Sequence, residues 1–400
     1  MRTILFCFLT IIFFTASNPA LTEFKNKDIK TFKFSQGHNI SERNLTVSIP
    51  SLQGTTIPYE RSTFITGCTI DSTVISIPSN VARPGDNWPV TWSDDDNLYT
   101  FLADGYGFSP LSQEYSSYPC KITGSPFFNN VKGIEISTNT IGKGTGGDVK
   151  GKKVSGLISI PDPSNSSSNL IVAWVRNINS NGGASLIYSR DYGANWNWAW
   201  GDPDITPDAI IPELGHPSWM QSGKNNSSAQ DGYLYFYSQN QPKAYLLADN
   251  VILGRVPTNH VLDKSNYQYF TGTMENPSWS PNIDKREPVF LAEKQCYRLY
   301  VTYNPALNRY FLLTANGDGL MTNYGGTHNL GIYESENPWG PWKTVYWNDS
   351  FHKSWSVFGP QIVPKWISND GKIFYLLYSN FPNGPYKFNL QKVILTISGK

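Results

Sequence analysis

The sequence predicts an all-β chain, a five-bladed β-propeller with little helix, and three observations carry that expectation. Short runs of β-branched and aromatic residues alternate with polar turns, and almost no segment sustains an apolar stripe at helical spacing. A coarse unit recurs, with starts near Asp86, Val154, Gly215, Glu287 and Gly359, at a spacing of roughly 60 to 75 residues that suits radial repetition. Finally, Ser189-Arg190-Asp191-Tyr192-Gly193-Ala194-Asn195-Trp196 fits S-x-D-x-G-x-x-W, a hairpin in which Asp ties the turn, Gly bends it and Trp packs beneath. A pair of β-sandwiches is the rival architecture, but sandwiches seldom give so regular a period.

The N-terminus has its own layout. Arg2 precedes an apolar run from Ile4 to Phe14, and Thr15, Ala16 and Ser17 follow, so residues 1–20 are expected to be a secretory signal peptide cut between Ala16 and Ala20. The apolar run, about eleven residues, is short for a membrane span, and no other stretch approaches the length a span needs. Residues 21–60 are polar and are expected to form a loose arm, with residues 61–400 as a single propeller domain. Asn39, Asn44, Asn165, Asn225, Asn226 and Asn348 each begin an N-x-S/T triplet, which fits an exported glycoprotein.

Ser62 to Ile77 is strand-like and is expected to close the ring by joining the last blade. The first unit opens with a hairpin: Trp88 to Trp92 and Leu98 to Ala103 flank the polar turn Ser93 to Asn97, and Val131 to Ile136 follows. Later units hold Val154 to Ile160, Leu170 to Val175 and Ser185 to Tyr188, then Gly232 to Tyr237, Ala244 to Val251 and Tyr267 to Thr271. The fourth is expected to hold Val289 to Leu291, Tyr297 to Tyr303, Arg309 to Thr314, Leu330 to Tyr333 and Lys343 to Trp347. Gln361 to Trp366, Lys372 to Tyr378 and Tyr386 to Ile397 make the fifth.

Composition narrows the function. A formal net charge of +1, from 32 basic and 31 acidic residues spread along the chain, gives no reason to expect nucleic acid or an acidic membrane as partner. Aromatic residues make up 14% of the chain, which suits both a packed β core and stacking on sugars. Without the signal peptide the cysteines are Cys68, Cys120 and Cys296, with no C-x-x-C spacing, so zinc is not expected. Order along the chain suggests a Cys68–Cys120 disulfide with Cys296 left as a buried thiol. No cofactor is expected, and the one conceivable cation site, Asp94-Asp95-Asp96, is more simply an acidic hairpin tip. Oligomeric state is not legible.

The chemistry-bearing residues gather on the first hairpin. If its turn centres on Asp95, Asp86 lies opposite Asp104, two carboxylates at one end of one hairpin with backbones on the order of 5 Å apart. Paired acids are what general acid–base or nucleophilic work on a glycosidic bond requires. The competing structural reading is that both aspartates simply serve turns.

GDNWPVTWSDDDNLYTFLADGYGF from Gly85, DGYLYFYS with LADNVILGRVP between Asp231 and Pro257, VTYNPALNRYFLL from Val301, ESENPWGPW from Glu334 and PKWISNDGKIFYLLYS from Pro364 carry a resemblance by their order and spacing. The chain resembles secreted proteins grouped as a domain of unknown function and related to mycobacterial endo-D-arabinanases, which are five-bladed propeller glycoside hydrolases. The resemblance covers most of the chain beyond Asp86. It implies that Asp86 and Asp104 line an axial pocket. On the reading of the chain as a secreted glycoside hydrolase acting on a furanosyl or related polysaccharide, Asp86 is the general base or nucleophile and Asp104 the general acid or its partner. The resemblance also implies a third carboxylate, for which Glu287 is the candidate by position and Glu213 and Glu275 are rivals. His216 is a candidate for contact with a sugar hydroxyl, and Trp88 and Trp219 for stacking, although burial in the core is the default for both tryptophans. No arginine triad of the kind a sialidase uses for its substrate carboxylate is apparent. A non-catalytic carbohydrate-binding or adhesion propeller is the alternative.

Overall fold

The computed structural model describes residues 57–399 apart from 79, 110, 138–150, 180–181, 316–329, 350, 352–355 and 382–385, together with three short strands nearer the N-terminus. The chain divides into two units, Met1–Gln53 and Gly54–Lys400. In the first, β1 (Glu23–Asn26), β2 (Ile29–Phe32) and β3 (Leu45–Val47) pair antiparallel in that order. The expected signal peptide and the sequons at Asn39 and Asn44 lie outside the described residues.

The second unit is a five-bladed propeller of antiparallel sheets. After β4 (Ile65–Ile77), blade I contains β5 (Val90–Trp92), β6 (Leu98–Leu102), β7 (Tyr118–Thr123) and β8 (Lys132–Glu135). Blade II contains β9 (Lys153–Asp162), β10 (Asn165–Asn179), β11 (Gly182–Ser189) and β12 (Asn197–Trp198). Blade III contains β13 (Ser218–Trp219), β14 (Tyr233–Gln239), β15 (Ala248–Pro257), β16 (Gln268–Phe270) and β17 (Trp279–Ser280), with β18 (Pro288–Cys296) also paired to β15. Blade IV is β19 (Tyr300–Asn304), β20 (Arg309–Thr314), β21 (Leu330–Ser335) and β22 (Lys343–Asn348). Blade V is β23 (Ser356–Ile362), β24 (Ile373–Phe381), β25 (Phe388–Ile397) and, on its outer edge, β4, so the strand before the first blade closes the ring. Among the described residues the only helical turns are short 3-10 segments.

Packing explains the continuous apolar runs of the sequence. Each second strand buries alternate side chains in two different cores, one shared with each neighbouring blade. Leu170, Val172 and Trp174 of β10 face blade III, while Ile171, Ala173 and Val175 face blade I. On β20, Tyr310 and Leu312 face blade III, and Phe311 and Leu313 face blade V. A strand buried on both faces shows no alternation of polar and apolar residues, although its pleat is ordinary.

Several expectations are corrected. Pro288–Cys296 returns to β15 of blade III instead of opening blade IV, which starts at Tyr300, so Glu287 does not head an inner strand. The innermost strand of blade V is Ser356–Ile362, and Pro364–Trp366 is a 3-10 turn. Residues 57–60 belong with the propeller unit: the Tyr59 hydroxyl accepts from the Leu291 N–H at 2.6 Å and its ring packs on Phe290 and Tyr333. The expected disulfide is absent, because Cys68, Cys120 and Cys296 are all free thiols; Cys68 lies on β4 of blade V and Cys120 on β7 of blade I.

The local motifs form as expected. Asp191 Oδ1 accepts from the Asn195 N–H at 2.8 Å, Gly193 adopts a φ of 89°, and Trp196 lies buried under the turn between β11 and β12. This places Asp191 between the outer strands of blade II, away from the ring axis.

Candidate functional site

The site forms where the inner strands begin. Asp86 and Asn87 precede β5, Lys153 is the first residue of β9, His216 precedes β13, and Arg298 precedes β19. Blade V contributes Gly359 within β23, where a Cβ would stand 3.0 Å from Asn87 Oδ1 and 3.4 Å from the Tyr300 ring. Radial symmetry therefore brings polar residues more than two hundred positions apart to one end of the axis.

The first hairpin has the register read from its sequence. Val90 pairs with Thr100, Thr91 with Tyr99 and Trp92 with Leu98, an alignment that, continued, would set Asp86 opposite Asp104. One residue of irregularity intervenes. Asp86 pairs instead with Ala103 through two backbone hydrogen bonds of 2.7 and 3.0 Å, and Asp104, next along, takes the left-handed φ of 51°. Burial pushes the Asp86 carboxyl up to about 6, the Asp104 charge adds to the rise, and Arg298, Lys153 and a hydrogen bond from Tyr386 oppose it. Tyr386 is held well above its ordinary value by burial and by both aspartates, so it stays a phenol and donates to Asp86. Asp104, the more exposed acid, forms an ion pair of 2.5 Å with the buried Lys153 ammonium.

Three cations converge on one ring. Lys153 Nζ lies 5.8 Å, Arg176 Cζ 5.2 Å and Arg298 Cζ 5.5 Å from the centroid of Tyr245. Burial would raise the Tyr245 phenol, but the charges of Arg176, Lys153 and Arg298 outweigh it and hold it below its ordinary value. Arg176 ends the apolar run of β10 and donates to Asn177 Oδ1 at 3.1 Å; Asn177 in turn donates to the Tyr245 hydroxyl at 2.9 Å. Arg176 and Arg298 are almost completely enclosed, at 1% and 3% exposure, yet Arg176 Nε, Arg298 Nε and Nη1 and the hydroxyl of buried Tyr297 have no hydrogen-bond partner among the described residues. Backbone strain gathers here too: Asn87, Asp104, Asn177 and Arg298 have φ of 51°, 51°, 63° and 44°. Left-handed non-glycine residues cost of order 1–3 kcal/mol each and concentrate at functional sites.

Residues 170–391 match the family described as Domain of unknown function (DUF4185), a stretch spanning more than half the chain. The chain belongs to this family. No curated protein matches it. Among solved structures, a putative hydrolase from Bacteroides ovatus is similar with a TM-score of 0.51 at 12% identity, covering 80% of this chain and 87% of that one. A putative exo-β-1,3-galactanase from Bifidobacterium bifidum follows at TM-score 0.45 and 9% identity, covering 81% and 95%. The catalytic domain of a GH62 α-L-arabinofuranosidase from Coprinopsis cinerea follows at 0.43 and 12%, covering 84% and 98%. The likeness to the first of these, at such identity, shows a shared fold.

The other candidate residues of this DUF4185 chain fall in different places. His216 belongs to the axial cluster: its Nε2 lies 3.3 Å from Asn87 Nδ2, and burial together with Arg176 and Arg298 holds it well below its ordinary value, so it is neutral. Trp88 is enclosed between Phe108 and Phe388 in the core joining blades V and I. Trp219 is stacked on Trp174 in the core joining blades II and III. Neither ring has a face free for a sugar. Glu287 and Glu275 are exposed and Glu213 is half-buried, and the Glu287 N–H bonds the Phe270 carbonyl on an outer strand of blade III, so no third carboxylate joins Asp86 and Asp104 from these positions.

Asp95 and Asp96 accept from Tyr99 and Trp92, and Asp94 from Tyr192, as a hairpin tip does. A cavity of about 350 Å³ bordered by Asp162, Arg190 and His260 lies elsewhere, and its charged pair is closed at 2.6 Å.

The residues that sequence reasoning missed are Asn87, Lys153, Arg176, Tyr245, Arg298 and Tyr386. Lys153 could have been found, since it stands immediately before the Val154 that marks a unit start. Arg298 would have followed from placing the fourth inner strand at Tyr300.

Proposed function

We propose that this chain is a secreted glycoside hydrolase that cleaves a furanosyl or related polysaccharide with the Asp86–Asp104 pair. One observation carries the reading: two acids at the same axial end differ in environment, Asp86 being buried and raised to about 6 while Asp104 is ion-paired with Lys153 at 2.5 Å. A buried, raised acid beside one held in an ion pair suits a division into a proton donor and its partner. The roles are the reverse of those the sequence suggested. Asp86 holds the proton and delivers it to the glycosidic oxygen as the bond breaks. Asp104, ion-paired with Lys153 and nearer solvent, attacks the anomeric carbon or takes a proton from the attacking water. Tyr386 fixes the Asp86 carboxyl, and neutral His216 with Asn87 supplies hydrogen bonds for sugar hydroxyls.

The test is release of reducing ends from arabinan, arabinogalactan and sialosides by the purified chain and by Asp86→Asn and Asp104→Asn. Cleavage of one glycan, reduced roughly 10²- to 10⁴-fold in each variant, is expected. The enclosure of Asp86, only 4% exposed, favours the second reading, a carbohydrate-binding propeller without chemistry. That reading replaces the first if a glycan is bound but not cleaved and Asp86→Asn binds it equally well.

A further inference from the structure

The axial cluster carries more positive charge than its acids answer. Asp104 is committed to Lys153, which leaves Asp86 to Arg298, while Arg176 and Arg298 both bear on the neutral His216. Asp86 meets only one of them, at 4.0 Å from Arg298 Nη1, too far for a hydrogen bond. A buried guanidinium with idle N–H groups is expensive, because desolvation is not repaid by a partner. Among the described residues, three donor atoms on the two arginines are without a partner, and the Tyr297 hydroxyl beside them is idle as well. Packing does hold the two guanidiniums in place: Arg298 lies 5.0 Å from the Tyr297 ring, 4.7 Å from Phe358 and 5.5 Å from Tyr245, and Arg176 lies 5.2 Å from Tyr245. Arg176 Nη1 is spent on Asn177, but arginines fixed by aromatic faces with other N–H groups left over are preorganised for an oxyanion, which accepts several of them at once.

We propose that the axial site takes an acidic glycan, seating a sugar carboxylate, sulfate or phosphate on the guanidinium groups of Arg176 and Arg298. The inference rests on the axial end being where the glycan binds, as in the preceding reading, and it names the substrate class that reading left open. The oxyanion supplies acceptors for the idle donors and balances the surplus charge. Lys153 stays with Asp104, and the neutral part of the sugar is left to Asn87, His216 and the two aspartates. Specificity follows from the same groups: a neutral sugar leaves buried donors unmatched, and a site built to bond a polar group discriminates strongly against the analogue that lacks it.

The decisive measurement is calorimetric titration of the wild-type chain with paired probes. One pair is an oligogalacturonide and its carboxyl-reduced form. A sulfated galactan oligosaccharide and arabinose 5-phosphate, each against its unmodified counterpart, separate the possible sources of the oxyanion. At least one acidic probe is expected to bind roughly tenfold or more tightly than its neutral counterpart, a difference of about 1.4 kcal/mol. Arg298→Gln and Arg176→Gln should each remove that preference, read as the ratio of acidic to neutral affinity within one variant. Arg176→Lys, which keeps the charge and loses the fork, should retain part of it. Equal binding of acidic and neutral members in every pair, or no binding of any acidic probe, overturns the inference, and the paired comparison decides this even if the arginine variants fold poorly. The hydrolase reading fails separately, when a glycan that binds is never cleaved.

Discussion

Arg298 Nη1 stands 4.0 Å from Asp86 Oδ2, both side chains are enclosed to 5% exposure or less, and no hydrogen bond joins them. Opposite charges held in a low-dielectric interior without contact leave each other incompletely compensated. The acid responds by gaining a proton: burial and the Asp104 charge lift it to about 6 against the pull of Arg298, Lys153 and Tyr386.

Stability should therefore carry a pH-dependent contribution from Asp86. A carboxyl raised in the folded state contributes stability that is complete below its unfolded value near 3.8 and is lost as pH rises through about 6. The size is about 2 to 3 kcal/mol, since each pH unit of displacement is worth about 1.4 kcal/mol. Asp86→Asn keeps the shape and abolishes the titration, so its unfolding free energy relative to wild type should grow by that amount between pH 4 and pH 7.5. Urea unfolding of both chains across this range is the check, and parallel curves would remove the argument for a protonated Asp86.

Catalysis should carry the opposite signature to the one the sequence suggested. With Asp86 as the proton donor, kcat/KM should fall as pH rises through about 6, and Asp86→Asn should lose that limb with the activity. A rise in kcat/KM over the same interval would instead make Asp86 the base. Because the two acids interact, the midpoint belongs to the pair.

Trp219 separates core from pocket. Enclosed against Trp174 and Phe236, it should act on stability alone: Trp219→Ala should cost about 3–5 kcal/mol, and Trp219→Phe, folded, should leave KM for the glycan unchanged. A raised KM in a Trp219→Phe chain of normal stability would restore its candidacy for stacking on the sugar.

These cases show what the sequence could disclose. The hairpin around Asp95, the Asp191 turn and the blade count are local or periodic, so residue order and turn chemistry were enough to find them. Asp86 and Asp104 came out of the same local register, to within the one-residue irregularity at Ala103. The fourth blade was misplaced because Pro288–Cys296 is a good strand whose partner, β15, only tertiary structure selects. Arg176 was invisible for another reason: it lies within β10 of blade II, after the apolar run, and nothing near it in sequence reveals that Arg298 and Tyr245 arrive from two other blades. Trp88 and Trp219 misled because every blade here is buried on both faces, so an aromatic beside a candidate acid carries no sign of which side it faces.

Gly359 tests whether the ring itself supports the site. It sits at φ +58° in the inner strand of blade V, where a Cβ would come within 3.0 Å of Asn87 Oδ1 and 3.4 Å of the Tyr300 ring. The left-handed backbone alone costs an alanine about 1–2 kcal/mol. The steric push falls on Asn87, which is itself left-handed and is the partner of His216 at 3.3 Å, so it reaches blades I and III together. Gly359→Ala should therefore lose at least 1–2 kcal/mol in urea unfolding and, at a temperature where it remains folded, weaken glycan binding. Gly232→Ala is the control, since its Cβ would meet nothing within 4 Å and its backbone is not left-handed. If the two variants unfold and bind alike, Gly359 is a spectator of the strand, and the contact from blade V does not help to position Asn87.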